Sequence, residues 1–182
     1  QLTVQYTQFA NLGVSYGVHK LSPALVSKGL IRRYRKLMGV SMGFGLLLPL
    51  VSSGALLVVS FFVESEFSRL GLLALVIIIP MQQFYHHAEL ALAIEKRFGT
   101  KAKSILGYTV ARVVLSILLA IWLGLSGVLI AYIVTVAAVS FYMIRHSRMG
   151  LELAVRPRFA WKLIGVGLPI TLIVAGELVL GT

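Results

Sequence analysis

The chain has 182 residues, of which 58% are hydrophobic and only 13% charged, with a mean hydropathy of +0.92 and a formal net charge of +11. A soluble domain carries about 25% charged residues, so this is the composition of an integral membrane protein and not of an ordinary soluble domain. The cations flank apolar runs instead of sharing one face, which argues against nucleic acid as a partner, and the absence of cysteine removes disulfides and thiolate metal sites.

A spanning helix needs about 20 mainly apolar residues. The first segment, residues 1–18, is partly polar: Gln1, Gln5, Gln8, Ser15 and His19 fall at helical spacing, with Asn11 beside them. Lipid satisfies no hydrogen bond, so this stripe faces either a hydrated cavity or polar groups of neighbouring helices; the number of polar groups favours the cavity. Residues 38–63 form the clearest span, and residues 70–94 a third, with Pro80 expected to kink it. Residues 104–123 carry Arg112, and 128–144 follow the tight link Gly124-Leu125-Ser126-Gly127. A last run, 160–182, opens with Gly165, Gly167 and Pro169. Gly13 with Gly17, and Gly39 with Gly43, are spaced for close helix packing within one bundle. The runs are far longer than the roughly ten-residue strands of membrane barrels, so the expected fold is an all-α bundle of about six spanning helices.

Fifteen of the 17 Lys and Arg residues fall in alternate connections, at 19–36, 95–103 and 145–162. Lys and Arg are retained on the cytoplasmic side. The segments 19–36, 95–103 and 145–159 are therefore expected inside, and 64–69 and 124–127 outside. The chain begins at Gln1 and ends at Thr182 directly after an apolar run, as expected of an internal piece of a longer multi-pass protein.

Ionisable groups at membrane depth are costly and are functional candidates by default. The third span carries Gln82, Gln83, Tyr85, His86, His87 and Glu89, and Gln82, His86 and Glu89 share one face. If the following turn centres near Gly99, His87 and Arg112 lie at one depth, roughly 12 Å inside their helix ends. The expectation is a charged site built from Gln82, His86, His87, Glu89 and Arg112. Competing readings are that Arg112 snorkels to the headgroups, that Glu89 sits at the interface among basic groups, and that both histidines are neutral packing residues. His86 and Glu89 lack a second ligand pair, so no metal site is expected. No phosphate loop, zincin motif or nucleophile elbow is present, and the chain holds no aspartate. Neither catalysis nor a cofactor is therefore expected, and Glu177 receives no role.

Several segments resemble a family. The stretch YTQFANLGVSYGVHKLSPALVSKG resembles the second spanning helix and basic loop of the polysaccharide biosynthesis, or O-antigen flippase, family within the multidrug/oligosaccharidyl-lipid/polysaccharide exporter superfamily. ELALAIEKRFGTKAKSILGYTVARVVLSILLAIWLGLSGVLIAYI resembles its central hairpin, and RFAWKLIGVGLPITLIVAG the start of its second lobe. The resemblance implies a two-lobed transporter of roughly 12–14 helices in a prokaryotic cytoplasmic membrane. Residues 1–144 would be most of the first lobe, 145–159 a cytoplasmic bridge, and 160–182 the first helix of the second lobe. It implies an isoprenoid-linked oligosaccharide as substrate, moved by alternating access for cell-surface polysaccharide such as lipopolysaccharide. In that setting Arg112 would attract the anionic linkage. His86, His87 and Glu89 would contact substrate or relay protons, and Gln5, Gln8 and Asn11 would line the sugar path. Coupling to protons or sodium, and the oligomeric state, stay open. The alternatives are a drug or metabolite exporter of the same superfamily, or a membrane-embedded glycosyl-transfer enzyme.

Overall fold

A computed structural model describes residues 14–149, 161 and 163–169. Every element among them is an α-helix: α1 (Val14–Ser27), α2 (Ile31–Ser60), α3 (Glu66–Ile94) and α4 (Phe98–His146). Residues 161 and 163–169 are also helical. Three helices, α2, α3 and α4, are long and apolar enough to cross a membrane.

Backbone chemistry sets where the helices start and stop. Ser65 caps α3, its hydroxyl accepting from the Ser68 N–H at 3.4 Å, with Glu66 in the first turn. At the other end the Lys96 N–H bonds to the Ala93 carbonyl and the Arg97 N–H to the Leu92 carbonyl, while Lys96 takes a left-handed φ of 56°. That is a Schellman motif, a role usually given to glycine. Gly29, at φ 69°, closes α1 in the same way, with Gly29 bonded to Val26 and Leu30 to Leu25.

The 49 residues of α4 would measure about 74 Å as one straight helix, more than twice a hydrocarbon core of about 30 Å. The helix instead breaks at Gly124, whose φ of 58° and ψ of −135° suit glycine alone. The chain then folds back on itself. A Cβ on Gly127 would lie 2.1 Å from the Leu119 carbonyl oxygen, and at the far end the Arg97 guanidinium donates to the His146 carbonyl. Thus α4 is two antiparallel arms, 98–123 and 125–146.

Several expected boundaries are corrected. The described part of the first span continues through His19 and Lys20 to Ser27, and α2 begins at Ile31, seven residues before the apolar run at 38. The first arm of α4 begins at Phe98, not 104, and the second arm ends at His146, not 144. The basic segments expected as loops at 19–36 and 95–103 shrink to residues 28–30 and 95–97. Lys and Arg are good helix formers, so charge ended the apolar run without ending the helix. Pro80 lies inside α3, which continues through it.

The chain divides into two compact units. The described residues of the first lie within Gln1–Pro49 and Arg148–Thr182. Here Val18, Tyr34, Leu37, Met38, Met149 and Leu163 are buried. Gly17 approaches the backbone of Leu163 so closely that a Cβ would sit 2.6 Å from its carbonyl oxygen, the close packing its spacing suggested. Arg35 donates to the Arg148 carbonyl at 2.9 Å, joining two of the basic stretches at one end.

The second unit, Leu50–Ser147, contains α3 and both arms of α4. Its core comprises Tyr85, Ala88 and Leu92 of α3 with Val136, Val139 and Met143 of the second arm. Ile105 and Tyr108 pack against it from the first arm. The outer surface is apolar: Trp122 is 84% exposed, and Ile117, Leu118 and Ile121 stand open beside it. An apolar surface of this extent belongs in lipid.

Candidate functional site

A row of polar side chains runs along the seam between α3 and the arms of α4. It starts near the basic turn, where Lys101 Nζ lies 3.0 Å from Glu89 Oε1. Glu89 Oε2 is 3.8 Å from His86 Nδ1, beyond a hydrogen bond but within ion-pair reach of a protonated imidazole. His86 Nε2 stands 3.4 Å from Gln82 Nε2. The Tyr132 hydroxyl donates to Gln82 Oε1 at 2.8 Å, which leaves the Gln82 NH₂ group to face the histidine. A consistent set of donors follows: Gln82 donates to His86 Nε2, so the neutral imidazole carries its proton on Nδ1, toward Glu89.

The row ends at Arg112. Its guanidinium carbon lies 5.3 Å from the centre of the Tyr108 ring and 5.7 Å from that of Tyr132. It donates to the Tyr108 hydroxyl at 3.2 Å. Each cation–π contact is worth about 0.5–2 kcal/mol, more when water is excluded. Among the described residues no carboxylate pairs with Arg112.

Gln82, His86 and Glu89 do share a face, as their spacing requires, and Arg112 reaches them through Tyr132, which bonds to Gln82, and through Tyr108, whose ring meets Tyr85 beside His86. The expected match in depth between His87 and Arg112 is corrected. The turn centres on Lys96, not Gly99, because Lys96 adopts the left-handed conformation and Gly99 already lies in α4. Glu89 therefore meets Lys101, Tyr85 meets Tyr108 at 5.6 Å between ring centres, and Arg112 falls at the level of Gln82. Arg112 lies nine residues, about 14 Å, beyond Lys103 along the arm.

His87, one position on from His86, is 2% exposed, and its Nδ1 lies 3.1 Å from the Gln83 carbonyl on its own helix, with the Gln83 amide 3.5 Å away. Gln5, Gln8 and Asn11 lie outside the described residues, as does Glu177. No group of three or more His, Cys, Asp or Glu side chains among the described residues is placed to hold a metal ion.

Tyr108 and Tyr132 were not anticipated from the sequence. Tyr108 was within reach of sequence reasoning, since it precedes Arg112 by four residues and so stacks beneath it on one face. Tyr132 was not, because its pairing with Gln82 depends on the register between α3 and the second arm. Tyr132→Phe keeps the ring over Arg112 and deletes the hydroxyl that orients Gln82. We expect a loss of about 1 kcal/mol, read by thermal unfolding of the purified protein in detergent; an unchanged transition would show that this bond contributes nothing.

No family model matches the chain, and neither a curated protein nor a solved structure matches it.

Proposed function

We propose that this chain belongs to a flippase that carries lipid-linked oligosaccharide across the cytoplasmic membrane, with Arg112 as the contact for the anionic linkage. The observation that supports this reading is the setting of Arg112: a permanent cation near the middle of an apolar arm, steadied by two tyrosine rings and lacking a carboxylate partner among the described residues. An isolated charge at membrane depth is costly unless an anion compensates it, and a guanidinium fits a phosphate through paired hydrogen bonds. The Tyr132, Gln82, His86 and Glu89 groups then supply hydroxyl, amide and imidazole partners along the same seam, the chemistry that sugar hydroxyls require. The basic stretches mark the cytoplasmic side in this reading. They meet in pairs, Arg35 with Arg148 and Arg97 with His146, as that orientation demands within each unit.

Reconstitution of the complete protein in liposomes tests the proposal. A fluorescent isoprenoid-diphosphate oligosaccharide is expected to become accessible to a quencher on the far side at rates well above those of protein-free vesicles. Rates no higher than in empty vesicles, combined with export of a small organic cation, would replace the flippase reading with that of a drug exporter.

A further inference from the structure

The two arms of α4 enclose a groove of about 310 Å³ beside the polar row, with Tyr108 standing between the two. Its floor on that arm is Lys103, Gly107, Ala111 and Leu115, four residues at successive helical turns, and its other wall includes Ala138 and Tyr142. Small side chains keep it open: a Cβ on Gly107 would meet nothing within 4 Å. Lys101, two residues before Lys103, is committed to Glu89. Lys103 is exposed and pairs with no acid among the described residues.

The groove is apolar along its length and cationic at one end. From Lys103 to Leu115 it runs twelve residues, or about 18 Å at 1.5 Å per residue. One leaflet of hydrocarbon is about 15 Å deep, half of a core of about 30 Å. The Tyr142 ring stacks on His146 at 4.2 Å, beside the basic turn, where an amphipathic ring suits the headgroup level. An occupant of this cleft therefore needs an apolar chain as long as a leaflet is deep and an anionic group at the end near Lys103.

We propose that the groove binds one acyl chain of an anionic phospholipid, with its phosphate held by Lys103. Basic pockets between membrane helices commonly take anionic headgroups, and here a fitted hydrocarbon slot adds selection for the tail. The site adjoins the seam at Arg112 through Tyr108, which lines the groove and stacks with Arg112. It rests on the membrane reading and not on the transported substrate, so failure of the flippase assay leaves its test intact.

Native mass spectrometry of the complete protein, released from detergent with equal phosphatidylglycerol and phosphatidylcholine of identical chains, provides that test. The wild type is expected to retain phosphatidylglycerol about five-fold better, the factor one cation contributes near a membrane surface. Lys103→Gln should bring the ratio to about one. Gly107→Leu should cut retention of both lipids several-fold while its thermal transition stays at or above that of the wild type, because glycine is the poorer helix former. Ala111→Leu carries the same expectation if Gly107→Leu fails to fold. Equal retention of the two lipids by the wild type, or undiminished retention after the groove is filled, overturns the proposal. So does a dimer that dissociates on filling the groove and holds no lipid.

Discussion

Gly127→Ala is expected to destabilise the protein by about 3 kcal/mol, at the upper end of overpacking costs. The added Cβ would stand 2.1 Å from the Leu119 carbonyl oxygen and 2.5 Å from its carbon. Both are backbone atoms of the opposing arm, so no side-chain rotation relieves the contact. Separation of the arms is the remaining escape, and it would pull Ile105 and Tyr108 of the first arm from their packing on the core of Tyr85, Ala88, Leu92, Val136, Val139 and Met143. Gly71→Ala is the control: it lies in α3, where a Cβ meets nothing within 4 Å, and removal of a helix glycine there should stabilise by about 0.5–1 kcal/mol. Unfolding of the purified protein in detergent should move in opposite directions for the two variants. A harmless Gly127→Ala would mean that the arms do not approach as described.

Arg112→Ala should lower lipid-linked oligosaccharide translocation at least ten-fold, the factor for losing a charge-assisted hydrogen bond of about 1.5–3 kcal/mol. Arg112→Lys should fall between, since an ammonium keeps the charge but loses the planar fork that matches phosphate and stacks on tyrosine. The stability lost should stay within what the two cation–π contacts supply, about 0.5–2 kcal/mol each. No carboxylate among the described residues is left unpaired by the substitution, and the Tyr132 hydroxyl keeps its bond to Gln82. Transport and thermal stability thus separate the two roles of this arginine. Wild-type transport by both variants would sink the anion role, and a stability loss that accounts for the whole transport defect would make Arg112 a structural residue held by Tyr108 and Tyr132.

Much of the helical layout is legible along the chain, and its errors have two causes. Hydropathy locates the stops at Ile94 and Gly124, because there the apolar run and the helix end together. It misplaces the starts of α2 and α4, because Arg32, Arg33, Lys101 and Lys103 interrupt the apolar pattern while remaining good helix formers. Glycine was also a misleading guide to the α3–α4 turn. Gly99 carries the composition of a turn, but Lys96 takes the left-handed backbone, held by the two Schellman bonds to Ala93 and Leu92. That displacement moved Arg112 from the level of His87 to that of Gln82.

The polar row shows the same division. Helical periodicity alone puts Gln82, His86 and Glu89 on one face and sets Tyr108 one turn from Arg112, since both depend on neighbours three or four residues apart. The partners across the seam, Lys101 to Glu89 and Tyr132 to Gln82, are 12 and 50 residues away, and only packing selects them.

Composition and the alternation of apolar runs with basic stretches were enough to determine an all-helical chain with helices fit to cross a membrane, because the hydrophobic effect and backbone satisfaction act on each segment by itself. Tertiary structure alone decided that Glu89 is answered by Lys101 and that Arg112 stands between two tyrosines with no acid paired to it among the described residues. Those outcomes depend on the turns at Lys96 and Gly124 and on the register they impose, and register is a property of two packed helices, which neither helix's pattern contains.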